Sequence, residues 1–273
     1  MMTINQPDLK HYTESNRAAW NEVMPHHQKA ASQRLDQLFS QPGAVRLDET
    51  ELDLLRQVGV QGRNVAHLCC NNGSELMSLK NLGAAECVGF DISDLAIREA
   101  SQRTTRSGID CTFVRSDIYE IGSQFNDRFD LVYISAGCLC WLPDLDLFFA
   151  KAASLLKPGG HVFIHEIHPF SEMLPFDDDK QPFSLAIVAP YFKQEPYIEH
   201  GGLDYVGHAD YPSTTTQYEF AHPLSSILMG LISNQIMIEQ FYEYETDISA
   251  GHRKIEEAKA GIPLSYIRIG RRA

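Results

Sequence analysis

The residues of this chain best suited to chemistry are a short polar turn and a single acid that follows it. An apolar run ends in the turn within residues 65–73, and a second apolar run, residues 88–91, ends on Asp91. Asp91 lies 18 positions after Gly73, which leaves room for one helix and one turn between them. This layout is typical of a β-α-β unit that binds a nucleoside, in which the acid accepts hydrogen bonds from the ribose hydroxyls.

The histidines and cysteines do not predict a metal site. At the end of a predicted strand, alternation places His165 and Ile167 on one face and Glu166 and His168 on the other, and a metal would need further ligands. The cysteine pair at positions 138 and 140 does not have the spacing of a zinc site and lacks a second pair. The cysteines are expected to be reduced and to pack as small apolar side chains.

Length and charge narrow the class of protein. The chain has 273 residues, enough for one large domain, and a formal net charge of −13 at pH 7. This charge argues against nucleic acid as a partner, because nucleic-acid binding depends on basic patches. No apolar run approaches the length that spans a bilayer, and the first residues lack a signal pattern. We therefore expect a cytoplasmic protein with no membrane partner.

The spacing of apolar residues predicts an α/β fold. Residues 12–58 have helical spacing and form a predicted helical cap, and strands alternate with helices from residue 64 onward. Ser93 is placed to cap the helix after the second strand. Such repeated units indicate a parallel sheet with helices on both faces. The predicted strands of this part are residues 64–68, 87–91, 111–115, 129–135 and 161–167, with a turn at 157–160 before the last.

The regular alternation stops near His168. Residues 169–223 contain seven prolines and ten aromatic residues. A long, stiff, apolar segment predicts a lid or substrate wall over the open end of the sheet, and the alternative is a structural insertion that packs on the core. A helix from Pro223 to Ser233 and two strands, near Ile236–Tyr244 and at residues 265–270, are predicted to complete the chain.

Five motifs in this order resemble the class I S-adenosylmethionine-dependent methyltransferases, closely over about residues 60–167. Residues 65–73 take the place of the glycine-rich first motif, and Asp91 that of the acid that binds the ribose. Residues 116–118 take the place of the adenine-binding motif, residues 129–132 that of the fourth strand, and residues 155–160 that of the turn before the fifth. The resemblance implies a three-layer Rossmann-like sandwich whose mostly parallel seven-stranded sheet has a final antiparallel strand. Residues 1–273 then form a single methyltransferase domain, with a helical cap (12–58), a cofactor-binding core (60–167), a lid (168–223) and a final helix and strands (224–273).

The first motif departs from the usual pattern of the family. His67 stands at the position of the family's acid, and Cys69 and Asn71 stand at two of the three glycine positions, so only Gly73 remains. Asn tolerates positive φ, so the turn can still form, and we interpret the motif as a variant binding loop. The resemblance implies that S-adenosyl-L-methionine contacts the cofactor-binding residues Tyr12, Trp20, His67, Cys69, Cys70, Asn71, Asn72, Gly73, Asp91, Ile92, Asp117, Ile118, Ser135 and Gly137.

The resemblance implies methyl transfer to a small-molecule acceptor, mainly by positioning and exclusion of water. The aromatic face of Trp141 or Tyr12 is expected to stabilise the sulfonium cation, and His222 is either a base or substrate contact or a helix cap. The acceptor atom (O, N, S or C) and the oligomeric state stay open, with a homodimer as one option. The alternatives are a non-catalytic S-adenosylmethionine-binding protein and, less favoured because Gly-x-Gly-x-x-Gly is missing, an NAD-dependent oxidoreductase.

Overall fold

The computed structural model describes residues 6–177, 182–201, 203–207 and 211–273. Parts of the predicted lid, at 178–181, 202 and 208–210, lie outside the described residues. The described strands are β1 (Asn64–Leu68), β2 (Glu86–Asp91), β3 (Thr112–Arg115), β4 (Phe129–Ile134), β5 (Leu156–Ile167), β6 (Tyr197–Glu199), β7 (Gln217–Glu219), β8 (Ile236–Tyr244) and β9 (Ser265–Arg272). The described α-helices are α1 (Gln6–Phe39), α2 (Glu49–Val58), α3 (Ser74–Asn81), α4 (Asp94–Ser107), α5 (Leu145–Leu155), α6 (Leu224–Ser233) and α7 (Arg253–Glu257).

Seven strands form one sheet in the order β3-β2-β1-β4-β5-β9-β8. Strands β1 to β5 pair in parallel, whereas β9 runs antiparallel to both β5 and β8. The prediction of a mostly parallel seven-stranded sheet with a final antiparallel strand is therefore confirmed. Because β1 to β5 are parallel, their carboxyl ends meet at one edge of the sheet, and the order reverses beside β1, where ligands bind in such folds.

Local sequence signals account for where several helices begin. Asp48, Ser93 and Asp144 accept hydrogen bonds from the first turns of α2, α4 and α5, as N-cap residues do. Strand β5 is longer than the sequence predicts, since it begins at Leu156, opposite Phe129 of β4. The pairing register shifts between Phe129 and Leu131, so the predicted turn at 157–160 is an irregular start of the strand rather than a break before it.

Apolar side chains cover both faces of the sheet. On one face Val65 of β1 packs in a cluster with Leu55 of α2 and Leu76 of α3. On the other face Ala66 belongs to a cluster that includes Phe148 of α5. Consecutive residues of β1 thus point to opposite layers, as strand geometry requires. In the described part of the chain, no helix is long and apolar enough to cross a membrane.

The segment after β5 contacts α1 through strand β7 and the residues before it. The Asn16 side chain donates to the carbonyl of Tyr218 at 2.9 Å and accepts from its N–H at 2.7 Å. Ser15 donates to the carbonyl of Thr216 at 2.7 Å. We name these contacts, together with those of Glu22 described below, the α1 clamp. In its described residues the segment therefore has a structural role, and the division of the chain into cap, core and lid stays a prediction.

Candidate active site

The turn after β1 keeps a left-handed backbone without the usual glycines. Cys69 has φ 55°, Asn71 has φ 45° and Gly73 has φ 76°. An L-residue such as Cys pays roughly 1–2 kcal/mol for this conformation, whereas Asn adopts it more readily. A Cβ at Gly73 would lie 2.3 Å from Phe113 Cζ, so glycine is required there by packing as well as by φ. The left-handed residues stand at the positions of the family's glycines, and of these the sequence analysis predicted positive φ for the asparagines only.

Asp91 ties this turn to the end of β2. Its carboxylate accepts from the N–H of Asn71 and from the N–H of Ser93, each at 2.8 Å. Burial raises the pKa of Asp91, and these backbone donors oppose that rise. The carboxylate faces the cavity described below with one hydrogen bond already made by each oxygen, which leaves further acceptor capacity for a ligand's hydroxyls.

His67 lies in β1, just before the turn, and its side chain contacts the end of β4. The side chain is fully buried, and its Nε2 lies 3.0 Å from the Ser135 hydroxyl. Burial lowers the pKa of His67 from 6.5 to about 4, so the ring is neutral near pH 7. His67 is not among the residues that line the cavity, and it acts on the site through Ser135, which does line it. A neutral imidazole therefore occupies the position where the family pattern has an acid.

A cavity of about 870 Å³ opens at the carboxyl ends of the parallel strands. This volume is near the upper end of the range typical of ligand sites, about 300–1,000 Å³. Of the residues predicted to bind cofactor or to act in catalysis, those that line it are Trp20, Cys69, Cys70, Asn71, Asn72, Asp91, Ile92, Asp117, Ile118, Ser135, Gly137 and Trp141. Chain segments far apart in sequence are thus brought to one site.

Aromatic side chains close the cavity from the α1 side. The rings of Trp20 and Trp141 meet edge to face with centroids 5.3 Å apart. Tyr205, from the predicted lid, approaches Trp20 at 6.4 Å and also lines the cavity. Asp117, at the end of β3, accepts from the N–H of Tyr119 at 3.0 Å, and burial raises its pKa. Apolar rings and a carboxylate therefore lie near the end where a nucleoside is expected.

The structure does not bring Tyr12 or His222 to this cavity. The Tyr12 ring packs against Tyr218 and Phe220, with centroids 4.9 and 5.2 Å away. His222 donates through Nε2 to the carbonyl of Leu142 at 2.8 Å, and it lines a separate cavity of only about 20 Å³. Burial lowers the pKa of His222. In this structure Tyr12 packs against aromatic rings and His222 makes a backbone hydrogen bond, so the predicted roles of Tyr12 at the cofactor and of His222 as a base have no support from the cavity and stay predictions. Gly73 also lies outside the lining and shapes the turn instead.

The sequence analysis did not predict the half of the cavity beyond β4. His165 and Ile167 line it, on the shared face that strand alternation predicts. Asp48 and Glu51 reach the same wall from the start of α2. Burial lowers the pKa of His165, but Glu51 and Asp48 outweigh burial and the net shift is upward. Neither acid was singled out by the sequence, because their proximity to β5 depends on how α2 packs.

Part of the chain is similar in sequence to known methyltransferases. A family model described as a methyltransferase domain matches residues 65–160. The ubiquinone biosynthesis O-methyltransferase of Proteus mirabilis (strain HI4320) is 28% identical over 113 residues. That match covers 41% of this chain and 45% of the relative, so it spans less than half the length of that curated protein.

Solved structures resemble the whole fold. A geranyl diphosphate C-methyltransferase from Streptomyces coelicolor A3(2), solved with S-adenosyl-L-homocysteine, aligns with a TM-score of 0.64 and 13% identity over 96% of this chain and 98% of that one. An S-adenosylmethionine-dependent methyltransferase from Mesorhizobium loti aligns with a TM-score of 0.55 and 21% identity over 81% of this chain and 97% of that one. These structures confirm the predicted fold.

Proposed function

We propose that this protein, whose residues 65–160 are a methyltransferase domain of the class I type, transfers a methyl group from S-adenosylmethionine to a small-molecule acceptor. The observation that carries the proposal is the left-handed turn at Cys69 and Asn71, joined to Asp91 by a backbone hydrogen bond. A turn that had lost its ligand would gain nothing from keeping Cys69, a non-glycine residue, in an unfavourable conformation. This argument favours a functional variant loop over a degenerate pocket.

The cavity residues fit the parts of the cofactor. Asp91 would accept from the ribose hydroxyls, and Asp117 with the backbone of Ile118 would bind the adenine edge. Trp141 or Trp20 would face the sulfonium, because a cation is attracted to an aromatic face. When bound, S-adenosylmethionine supplies a methyl group that is already activated for transfer. The protein's part is to hold the reactants in line and to exclude water.

The acceptor is proposed to be small. The volume of the cavity is near the upper end of the range for ligand sites, which leaves room for a cofactor together with a compact second ligand. The net charge of −13 disfavours a nucleic-acid acceptor. The relatives named above act on different small molecules, as their names state, so they support the class of acceptor and not its identity. A cytoplasmic location is part of the same proposal.

A binding and turnover experiment tests this function. Calorimetry with S-adenosylhomocysteine and with NAD should show binding of the first alone, with one site per chain. Transfer of a radiolabelled methyl group is then measured across a library of hydroxyl, amine, thiol and carbon acceptors. Binding without transfer to any class would favour the non-catalytic alternative, and binding of NAD alone would overturn the proposal.

A further inference from the structure

A cluster of three potential ligands lies in the wall of the cavity beyond β4. His165 Nδ1 lies 3.4 Å from Asp48 Oδ2 and 3.6 Å from Glu51 Oε2. One ligand atom from each of these residues lies within 4.8 Å of the others. His165 comes from β5, whereas the two acids come from the start of α2. The chain neighbours of His165 do not include either acid, so this combination was not predictable from local sequence.

The two distances from His165 Nδ1 are compatible with shared coordination of one ion. An N–H···O hydrogen bond is about 2.7–3.2 Å long, so 3.4 and 3.6 Å are both too long for a good one. Ligands about 2.1 Å from a tetrahedral ion lie about 3.4 Å from one another. Nitrogen and carboxylate oxygen are also ligands that Mn²⁺ and Zn²⁺ accept.

The second oxygen of each carboxylate is already engaged, which aims the first oxygen at the cluster. The N–H of Glu51 donates to Asp48 Oδ1 at 2.8 Å, so Oδ2 faces His165. The Tyr133 hydroxyl donates to Glu51 Oε1, so Oε2 faces His165 as well. Outer partners that orient ligand atoms in this way are a regular feature of metal sites.

The charges of the cluster also call for a cation. Glu51 is 4% exposed and His165 is 6% exposed. In the described part of the chain, neither Asp48 nor Glu51 forms an ion pair with a lysine or an arginine. The Asp48 side chain is 45% exposed, so Glu51 contributes the one buried carboxylate beside the imidazole. A divalent ion would neutralise the excess negative charge of the two acids.

We propose that Asp48, Glu51 and His165 bind one divalent metal ion, either Mn²⁺ or Zn²⁺, in the half of the cavity beyond β4. Three protein ligands leave an open position toward the cavity, as in catalytic metal sites. This site, if the proposed methyl transfer holds, selects an acceptor with a hydroxyl that binds the ion. Coordination lowers the pKa of the hydroxyl and its proton leaves to solvent. The oxygen's electron pair then forms the new O–C bond as the S–C bond breaks, and the sulfonium becomes a neutral thioether.

Metal binding to the full chain tests the proposal without any acceptor. After treatment with EDTA and its removal, Mn²⁺ is titrated in by calorimetry, and free Mn²⁺ is counted by electron paramagnetic resonance. We expect one site per chain, and at least tenfold weaker binding in His165→Ala and in Glu51→Gln. Tyr133→Phe keeps all three ligands and is expected to weaken binding by about tenfold, as outer partners do. Asp53→Asn, on the exposed face of the same helix, is the matched control and should bind as the wild type does.

The outcomes separate this proposal from the proposed function. If the folded wild type binds neither Mn²⁺ nor Zn²⁺ at millimolar concentrations, or if the His165 and Glu51 variants bind as tightly as the wild type, the metal site is refuted. That result leaves the binding of S-adenosylhomocysteine untouched. Conversely, a chain that binds the metal but not S-adenosylhomocysteine keeps the metal site and loses the proposed function. Circular dichroism verifies that each variant is folded, and Tyr133→Phe serves where a ligand variant unfolds.

Discussion

Asp91 joins the ligand-binding turn to the end of β2, so its removal should affect both binding and stability. Charge-assisted hydrogen bonds to the ribose are worth about 1.5–3 kcal/mol. Asp91→Ala should therefore weaken S-adenosylhomocysteine binding at least tenfold in calorimetry, and the melting temperature should fall because the N–H groups of Asn71 and Ser93 lose their acceptor. Asp110→Asn, on the exposed surface, is the control. An unchanged dissociation constant in Asp91→Ala would remove Asp91 from the site.

His67 should make the stability of the fold depend on pH. The unfolded chain protonates this imidazole near 6.5, but in the fold its pKa is lowered to about 4. Between these values the unfolded state binds more protons, so the free energy of unfolding falls as pH decreases from 6.5 toward 4. Urea denaturation from pH 7 to pH 4 should show a smaller decline for His67→Gln than for the wild type. Equal declines would mean that His67 is protonated, or exposed, in the native protein.

At the scale of elements, the turn after β1 should tolerate glycine and reject a β-branched residue. Cys69→Gly relieves the cost of a left-handed Cys, roughly 1 kcal/mol, although some apolar packing is lost. Cys69→Val places a branched side chain at φ 55° and should destabilise the protein by more than that. Thermal unfolding of the two variants gives the comparison. If the Cys69→Val protein is as stable as the Cys69→Gly protein, the turn is not left-handed in solution.

The α1 clamp should depend on Glu22. Its carboxylate accepts from the hydroxyls of Ser213 at 2.6 Å, Thr214 at 2.6 Å and Thr215 at 2.7 Å. Burial acts to raise the pKa of Glu22, but these hydrogen bonds outweigh it and lower the pKa to about 2. Glu22→Gln removes one of two acceptor oxygens and should speed limited proteolysis of the segment before β7, with Glu14→Gln as a control on the same helix. If both variants are cleaved as slowly as the wild type, the clamp does not hold this segment.

The contacts of the α1 clamp change the result that we expect from deleting residues 169–223. The sequence analysis treated this segment as a separable lid, whose removal would leave the cofactor pocket intact. Since the segment contacts α1 and α1 carries Trp20 into the cavity, deletion should weaken cofactor binding together with turnover. Tyr205→Ala is a milder change. Among the described residues of the segment, Tyr205 is the one aromatic residue that lines the cavity, so this variant should lower acceptor turnover more than cofactor affinity.

At the scale of the whole molecule, ligand binding should be visible in intrinsic fluorescence. The chain has two tryptophans, Trp20 and Trp141, and both line the cavity. Bound S-adenosylhomocysteine should therefore shift or quench nearly all of the tryptophan emission. It should also raise the melting temperature with ligand concentration, because it binds only the folded state. Trp20→Phe and Trp141→Phe should each retain part of the fluorescence response. If the ligand raises the melting temperature without changing the tryptophan fluorescence, it binds elsewhere.

Features that depend on neighbouring residues in the chain were predicted correctly from the sequence. The apolar periods and caps predicted strands such as Asn64–Leu68 and the start of α4 at Ser93, because these depend on neighbours in the chain. The spacing of Gly73 and Asp91 located the turn and the acid, since a β-α-β unit has a nearly constant length. The sequence predicted that Asn71 or Asn72 would make the turn with positive φ; Asn71 does so, and Cys69 is left-handed as well, which was not predicted.

Tertiary structure decided the contacts between distant segments. His222 and Tyr12 are chemically suitable for a site, but packing directs them to Leu142 and Tyr218 instead. Asp48, Glu51 and His165 meet because α2 packs beside the end of β5, more than a hundred residues later in the chain. Periodicity reports which face of an element is buried, but not which other element covers it. For that reason the cofactor half of the cavity, built on one β-α-β repeat, was predictable from the sequence, and the half beyond β4 was not.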